Sequence, residues 1–279
     1  MKLIADCGST KIDWCVSDSA TTVKRFFTCG MNAVMLTEQE MAERFEKELK
    51  PEVAGIDIDE IYFYGAGCLA DSVCDNVRRA IAASVPSAKK IEVHTDLLAA
   101  ARALCGNKPG IACILGTGSN SCFYDGEKIA DNVSPSGYIL GDEGSGAVLG
   151  KIMIGDILKN QLPEDLCEKF LNETGLDRLT IIQRVYKEPG GNRFLASLTP
   201  FLIQNIERKE IRALVVNAFR AFFRRNIANY PGYTAMPVNF IGSIAYYYKP
   251  YLEEAAEMEG CKIGTILKSP MEGLLKFHA

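Results

Sequence analysis

Hydrophobic and polar positions change their period several times along the chain, and these changes predict its secondary structure. Residues 2–17 alternate apolar and polar side chains around a glycine-containing turn, which predicts a β-hairpin. Residues 37–49 carry a large apolar side chain at every fourth position, which predicts a helix. Strands and helices then alternate, and that order predicts an α/β fold. The next elements predicted are strands at 61–64 and 91–94 and helices at 71–83 and 97–104.

The same pattern restarts near residue 110. A strand at 111–115 is followed by a polar glycine loop and by a second strand at 121–124. Sliding the chain by 110 residues places Ile4 on Ile114 and Gly8 on Gly118, which predicts a duplicated domain. The remaining elements predicted are helices within 145–230, strands at 238–241 and 262–267, a helix at 244–258 and a terminal helix near Pro270.

Composition and charge narrow the class of protein. A chain of 279 residues is long enough for two ordinary domains or one large one. The formal net charge of -4 argues against a general nucleic-acid binder, which would present a basic surface. The ten cysteines form no C-x-x-C pair, the N-terminus has no signal-peptide pattern, and no apolar run approaches the roughly 20 residues of a membrane span. We therefore expect a cytoplasmic protein that uses neither nucleic acid nor membrane.

Two glycine-containing turns carry chemistry suited to phosphate. Glycine lets backbone N–H groups approach an anion closely, and several such groups together form an anion-binding concavity. Residues 6–11 add a carboxylate for hydrated Mg²⁺, a hydroxyl and a lysine to their glycine turn. Residues 116–120 form the most polar loop of small residues in the chain and directly follow a strand. Plain hairpin turns are the alternative for both segments.

Three polar residues have two local interpretations each. Asp96 lies between a strand and an alanine-rich helix, where an aspartate is either an N-cap or a proton acceptor for a substrate hydroxyl. Asp142 lies between glycines before an apolar helix, where it either belongs to a capped helix start or binds sugar hydroxyls. Asn32 is either a turn residue or a polar sugar contact. The local sequence favours the N-cap interpretation of Asp96 and does not decide between the two interpretations of Asn32.

The ordered set of these segments resembles the N-acetylglucosamine kinases, within the wider BadF/BadG/BcrA/BcrD ATPase family of the actin/hexokinase-like fold. The resemblance covers nearly the whole chain, and residues 137–145 are its most diagnostic part. The segments that carry it are 6–11, 30–32, 95–96, 116–120, 137–145, 241–243 and 269–273.

The resemblance implies an architecture and an activity. The architecture is two duplicated ribonuclease H-like domains with a hinge cleft, formed by residues 1–105 plus 268–279 and by residues 106–267. The activity is transfer of a phosphoryl group from Mg-ATP to a sugar hydroxyl, with the 6-hydroxyl of N-acetylglucosamine or a related hexosamine as the leading acceptor. The expected partner is thus a small-molecule sugar, and a homodimer is left open.

The resemblance also implies a role for each candidate site residue. Asp6 would hold Mg²⁺ through water, and Asp96 would be the general base toward the sugar. Residues 8–11 and 117–120 would wrap the ATP phosphates. The full set is Gly8, Ser9, Thr10, Lys11, Thr117, Gly118, Ser119 and Asn120 for phosphate, Gly242 and Ser243 for adenosine, and Asn32, Asp96 and Asp142 for sugar.

Two departures from the family pattern bear on the substrate. Ala33 and Val34 follow Asn32, where the family often has an aromatic residue or histidine, and Pro135 and Ser136 stand where many relatives have a tryptophan. Both lie where a sugar or its acetamido group is expected, so the sequence leaves the particular hexosamine open. The alternative functions are a BadF-type ATPase that activates a dehydratase and a non-enzymatic sugar sensor.

Overall fold

The computed structural model describes residues 1–8, 10–19 and 21–279. The chain forms two compact units, each with its own five-stranded sheet. Unit 1 contains Met1–Lys108, Gly126–Ile129 and Ser269–Ala279, and unit 2 contains Pro109–Asp125 and Ala130–Lys268. Within the described residues, no helix is long and apolar enough to cross a membrane.

The sheet of unit 1 has the strand order β3-β2-β1-β4-β5. The first three strands are antiparallel neighbours, whereas β1, β4 and β5 run parallel. The strands are β1 (Lys2–Cys7), β2 (Lys11–Asp18), β3 (Thr21–Cys29), β4 (Glu60–Gly65) and β5 (Lys90–Thr95). The helices are α1 (Glu38–Glu48), α2 (Lys50–Val53), α3 (Asp71–Ser84), α4 (Asp96–Cys105) and α14 (Met271–Phe277), with a 3₁₀ turn at Ala33–Met35.

The two faces of this sheet bury different side chains, because strand residues alternate in direction. On the face toward α1, Trp14 stacks on Phe26 at 6.1 Å between ring centroids and meets Phe45 edge-on at 6.0 Å. On the other face, Ile4, Cys15 and Tyr64 pack with residues of α4 and α14. The second face is the one that carries Asp6, because Asp6 lies two positions after Ile4.

The sheet of unit 2 repeats this topology in the order β8-β7-β6-β9-β10. Strands β6 and β7 are antiparallel, whereas β6, β9 and β10 are parallel. The strands are β6 (Gly110–Leu115), β7 (Ser119–Tyr124), β8 (Ile129–Asp131), β9 (Pro237–Ile241) and β10 (Lys262–Leu267). The helices are α5 (Gly137–Leu140), α6 (Gly146–Leu158), α7 (Glu164–Thr174), α8 (Arg178–Tyr186), α9 (Gly191–Ser197), α10 (Thr199–Gln204), α11 (Lys209–Arg225), α12 (Ser243–Tyr247) and α13 (Lys249–Met258), with a 3₁₀ turn at Ile227–Asn229.

A single large core fills unit 2. Helix α11 contributes the apolar stripe that faces the sheet, and Phe222 and Phe223 both contact Phe240 of β9 at about 6 Å between ring centroids. The opposite face of α11 is basic and forms ion pairs, among them Arg220 and Arg224 with Glu259. This division is the usual one for an amphipathic surface helix.

The repeated sheet order confirms the predicted α/β class and the duplication. The register proposed from sequence is displaced, however. The first strands of the two units end at Cys7 and Leu115, 108 positions apart rather than 110, and the residues paired with these ends, Ile12 and Ser119, are 107 positions apart. One predicted helix, 244–258, is interrupted at Tyr248, where Pro250 opens a second helix. Strands β3 and β8 were not predicted.

Candidate active site

The loops that carry the candidate residues of unit 1 lie at one edge of its sheet. Cys7 pairs with Gly65, and Gly65 pairs with Thr95, so three parallel strands end side by side. The segments after them begin at Gly8, Ala66 and Asp96. In an open α/β sheet, ligands bind outside the carboxyl ends of the strands, and this edge therefore favours a site.

Three carboxylates converge there. Asp6 of β1 pairs across the hairpin with Asp13 of β2, and Asp96 opens α4, which packs against β1. Burial raises the pKa of Asp6 to about 7, and the neighbouring charges of Asp13 and Asp96 add to that rise. Burial also raises the pKa of Asp96, against the effect of the Leu97 N–H. Crowded, partly buried acids of this kind are typical of functional sites.

Asp13 was not predicted from the sequence. Its side chain is almost fully buried and accepts both hydrogen bonds of a bidentate pair from Arg25, at 2.9 Å from Nε and 2.6 Å from Nη2. The pair raises the pKa of the Arg25 guanidinium. The signal that could have found Asp13 is the hairpin register, which sets it opposite Asp6.

The cap interpretation of Asp96 is wrong. Thr95 is the N-cap of α4, since its Oγ1 accepts from the Leu98 N–H at 3.1 Å. Asp96 occupies the first helical position, and its Oδ1 accepts from the Leu97 N–H at 2.8 Å. Capping of α4 therefore does not account for the Asp96 carboxylate.

The turn at residues 8–11 is closed by the Gly8 N–H, which donates to the Lys11 carbonyl at 3.0 Å. The end of β3 supports it, because the Gly30 N–H donates to Thr10 O and the Met31 N–H donates to Gly8 O. The ammonium of Lys11 lies 4.3 Å from the centroid of the Phe27 ring. Ser9, predicted to bind phosphate, lies outside the described residues.

Asn32 directly follows this support. It is exposed, and its Oδ1 accepts from the Val34 N–H at 3.2 Å, which caps the 3₁₀ turn at Ala33–Met35. Asn32 is thus a turn residue. Because its side chain is exposed, the predicted contact with sugar also stays a prediction.

In unit 2 the candidate phosphate loop is shorter than predicted. Only residues 116–118 form the turn, closed by the Gly116 N–H donating to Gly118 O, while Ser119 and Asn120 already belong to β7. Asn120 Oδ1 accepts from the Ser121 N–H at 2.9 Å and from Asn132 Nδ2 at 3.0 Å. The Asn120 oxygen is therefore committed to local structure.

Asp142 is anchored on that loop. Its backbone has a positive φ of 54°, a conformation that non-glycine residues adopt at a cost of about 1–3 kcal/mol and that is common at functional sites. Burial raises the pKa of its carboxyl, although the Ser119 N–H, which donates to it, acts in the opposite direction. Ser145, not Asp142, caps α6, and the neighbouring Glu143 pairs with Arg225 at 2.6 Å.

Gly242 and Ser243 follow β9 beside the same loop. Gly242 has φ 126°, and a Cβ there would lie under 3.0 Å from the Leu115 carbonyl oxygen, so only glycine fits this close approach. Ser243 opens α12 and is exposed. In unit 2 the structure thus brings together residues 116–119, Asp142 and Gly242, all predicted from sequence or adjacent to predicted positions.

No three His, Cys, Asp or Glu side chains are arranged as metal ligands in the described part of the chain. A divalent ion such as Mg²⁺ does not require such a cage, because it keeps several waters and uses one or two carboxylates. Asp6, crowded by two further carboxylates, is the group in unit 1 whose surroundings suit a cation.

Comparison with known proteins gives matches among solved structures alone. No protein-family model and no curated protein sequence matches the chain. A proposed N-acetylglucosamine kinase from Porphyromonas gingivalis is 46% identical, with 100% of this chain and 98% of that chain covered and a TM-score of 0.96. A proposed N-acetylglucosamine kinase from Chromobacterium violaceum is 18% identical, with 100% and 98% covered and a TM-score of 0.77.

A more distant likeness extends the fold assignment. The ROK-family glucokinase of Streptomyces griseus, solved with glucose and AMPPNP, is 14% identical, with 99% and 97% of the two chains covered and a TM-score of 0.55. The glucokinase structure therefore shares the fold with two duplicated sheets, and the predicted fold class is confirmed. Within that class, the chain belongs to the N-acetylglucosamine kinase-like family represented by the Porphyromonas protein.

Proposed function

We propose that the protein transfers the γ-phosphoryl group of ATP to a sugar hydroxyl, most specifically the 6-hydroxyl of N-acetylglucosamine or a related hexosamine. The observation that carries the proposal is Asp96: a carboxylate with a raised pKa, near Asp6, at the edge where the parallel strands of unit 1 end. The family to which the chain belongs supports the same reaction.

Asp96 acts as the general base in this proposal. As a sugar hydroxyl attacks the phosphoryl group, its proton passes to the Asp96 carboxylate, which remains held through Oδ1 by the Leu97 N–H. Burial raises the pKa of Asp96, and a more basic carboxylate is a better proton acceptor as long as it remains ionised at working pH. Thr95 fixes the first turn of α4 and with it the position of Asp96.

Asp6 is the proposed holder of magnesium, through an intervening water. Its carboxylate is crowded by Asp13 and Asp96, and such like charges favour a cation among them. When bound, magnesium neutralises charge on the phosphate oxygens of ATP. The Arg25 side chain holds Asp13 through both carboxylate oxygens and fixes the second acid of the cluster.

Backbone amides of two turns bind the ATP phosphates in the proposal. In unit 1 these belong to residues 8–11, and in unit 2 to residues 117–120, of which Ser119 and Asn120 contribute from the start of β7. Gly242 and Ser243 take the adenosine, where the glycine allows close approach to Leu115. Asn32 and Asp142 bind sugar hydroxyls, with Asp142 held to the phosphate loop by the Ser119 N–H.

An ADP-release assay with Mg-ATP and a panel of sugars tests this proposal. We expect N-acetylglucosamine or a close hexosamine to accelerate ADP release well above the sugar-free rate, with a 6-phosphate as product identified by NMR. Glucose, glucosamine and N-acetylmannosamine serve as comparison acceptors. No acceleration by any sugar would contradict the proposal. Sugar binding without turnover would then favour a sensor, and sugar-independent ATPase activity with iron–sulfur absorbance would favour a dehydratase activator.

A further inference from the structure

The turn at residues 65–67 contacts Asn32, and this contact was not predicted from the sequence. Gly67 has φ 85°, and a Cβ there would lie under 3.0 Å from Asn32 Oδ1, 3.1 Å from Val34 Cγ2 and 3.2 Å from the Val34 nitrogen. The Asn32 side chain therefore lies so close to Gly67 that any side chain larger than hydrogen at position 67 would collide with it. Only glycine offers both this space and this backbone conformation.

The hydrogen bond from the Val34 N–H fixes which end of the Asn32 amide faces outward. A backbone N–H can only donate, so the atom that meets the Val34 N–H at 3.2 Å must be the oxygen of Asn32. The amide nitrogen, with its two N–H donors, is then directed away from the turn. Because Asn32 is exposed, these donors are open to a ligand.

The turn itself is tied to the site on two sides. The Ala66 N–H donates to the Cys7 carbonyl at 3.2 Å, and the Ala33 N–H donates to the Ala66 carbonyl at 3.4 Å. Residues 65–67 thus bridge the end of β1, where the phosphate turn begins, and the segment that carries Asn32.

We infer that Gly67 is a positioning residue for the sugar site: it makes room for the Asn32 oxygen, so that Asn32 offers its amide donors to an acceptor oxygen of the sugar. The inference rests on the proposed function of Asn32. It restricts the recognised group to a hydrogen-bond acceptor, which is either a hydroxyl oxygen or the carbonyl of an acetamido group.

The first test replaces Gly67 by alanine. Because the colliding atom is the tip of a side chain, Asn32 yields by rotating away, and the sugar KM rises ~10-fold or more while kcat and the KM for ATP stay within about two-fold. Gly55→Ala is the matched control, since Gly55 has a similar φ of 76° with no atom within 4 Å of its Cβ position. It lies before β4, at the opposite edge of the sheet from Gly67.

Both alanine variants carry similar backbone strain, on the order of 1–2 kcal/mol. Gly67→Ala also loses the hydrogen bond from the Val34 N–H to Asn32, so its melting temperature should fall further than that of Gly55→Ala. A sugar KM that stays at the wild-type value in Gly67→Ala, or one that rises equally in Gly55→Ala, would overturn the inference.

The second test distinguishes the role of the Asn32 amide oxygen from the role of the amide nitrogen. Asn32→Asp keeps an acceptor for the Val34 N–H but has no donor when ionised. We expect it to melt like the wild type and to raise the sugar KM as much as Asn32→Ala does. A wild-type KM in Asn32→Asp would overturn the donor assignment. The penalty falls on N-acetylglucosamine alone if the acceptor is the acetamido carbonyl, and equally on glucose if it is a hydroxyl.

Calorimetric titration of the same variants with sugar keeps this inference distinct from the proposed function. A protein that binds sugar without phosphorylating it would contradict the kinase proposal, yet Gly67→Ala would still weaken binding relative to Gly55→Ala. Equal sugar affinity in wild type and Gly67→Ala would contradict the inference whether or not the enzyme turns over. A wild type that binds no sugar would contradict both.

Discussion

At the scale of single residues, the carboxylates of unit 1 set function against stability. Asp6 lies between Asp13 and Asp96, and Asp13 is already held by Arg25 through both of its oxygens. An arrangement that suits a cation is unfavourable for the protein alone, because the folded state must hold a partly buried charge near others of the same sign. Such local conflicts are expected where a residue serves chemistry rather than folding.

The first prediction concerns Asp6. Its pKa is raised from 3.8 to about 7 in the folded state, so its contribution to stability is present below pH 4 and is lost as the pH rises through 7. Asp6→Asn cannot ionise and should therefore raise the free energy of unfolding at pH 8 by on the order of 3 kcal/mol, with no gain at pH 4. Urea unfolding without magnesium measures both.

Asp13→Asn is the comparison variant for this prediction. It should destabilise the protein, because it removes the charge that faces the Arg25 guanidinium across two hydrogen bonds. If Asp6→Asn were no more stable than wild type at pH 8, the unfavourable burial of the Asp6 charge near other acids would be contradicted.

Roles for Asp6, Asp96 and Asp142 were predicted from sequence because each residue stands next to a glycine turn or a strand end, where a motif is local. It did not identify Asp13 or Gly67. Asp13 lies opposite Asp6 on the neighbouring strand, and Gly67 contacts Asn32, which lies 35 positions earlier in the chain. Both depend on tertiary register, which no local pattern contains.

At the scale of elements, the turn of unit 1 that is proposed to bind phosphate is held in place by the segment that follows β3. Gly30 ends the β3 segment and donates to Thr10 O, and a Cβ at Gly30 would lie under 3.0 Å from backbone atoms of Gly8, Thr10 and Lys11. Backbone atoms cannot rotate away as a side chain can. The turn and the end of β3 therefore fit together only with glycine at this position.

Gly30→Ala is accordingly predicted to displace the turn at residues 8–11. We expect a loss of stability of about 2 kcal/mol or more and a KM for ATP raised ~10-fold, since the amides proposed to bind phosphate move. Gly155→Ala in α6 is the control: its Cβ meets no atom within 4 Å, and it should stabilise the protein by up to about 1 kcal/mol. An unchanged KM for ATP in a folded Gly30→Ala protein would contradict the support proposed for the turn.

The terminal helix α14 gives a pH prediction of its own. His278 stacks on Tyr62 at 3.8 Å and its Nε2 lies 2.7 Å from the Tyr64 hydroxyl, which also accepts from Arg102 Nη1. Burial, with the charge of Arg102 second, lowers the pKa of His278 to about 4 from 6.5. The neutral imidazole therefore stabilises the fold above pH 6.5, and this contribution is lost as the pH falls toward 4.

We expect wild type to lose about 3 kcal/mol more than His278→Gln between pH 7 and pH 4, because glutamine cannot take up a proton. Urea unfolding at the two pH values gives this double difference directly. Equal losses in the two proteins would show that His278 is not held neutral by its contacts.

Element boundaries followed from sequence where caps and apolar periodicity agree. The helix predicted at 37–49 is α1, with Thr37 and Glu40 forming a capping box at its start. Strand β3 was not predicted because it exposes most of its side chains and so lacks a clear alternation, and β8 has only three residues. The break at Tyr248 within a helical pattern follows from Pro250, which begins a new helix.

At the scale of the whole molecule, the duplication explains why each unit has a glycine turn that is proposed to bind phosphate. Each unit repeats the same strand order, and in each a short glycine turn links the first two antiparallel strands. The alignment from sequence matched the glycines of the two turns at a spacing of 110 residues, whereas the ends of the first strands are 108 residues apart. The fold class was therefore predictable, while the register of the repeat required the pairing of the strands.

The two halves differ in what they add to their turns. Unit 1 adds the acids Asp6, Asp13 and Asp96, whereas unit 2 adds Asp142 on its candidate phosphate loop and Gly242 beside it. This asymmetry assigns the proposed proton transfer to unit 1. The central claim is thus that the Asp96 carboxylate accepts the proton of the sugar hydroxyl.

The most direct measurement compares kcat for phosphorylation of the best sugar by wild type, Asp96→Asn and Asp71→Asn. Asp71 is the matched control, because it also occupies the first position of a helix but is exposed and outside the proposed site. We predict that Asp96→Asn lowers kcat by ~10²–10⁴-fold with the melting temperature retained, and that Asp71→Asn leaves kcat within about two-fold of wild type. A kcat for Asp96→Asn close to that of Asp71→Asn would contradict the account.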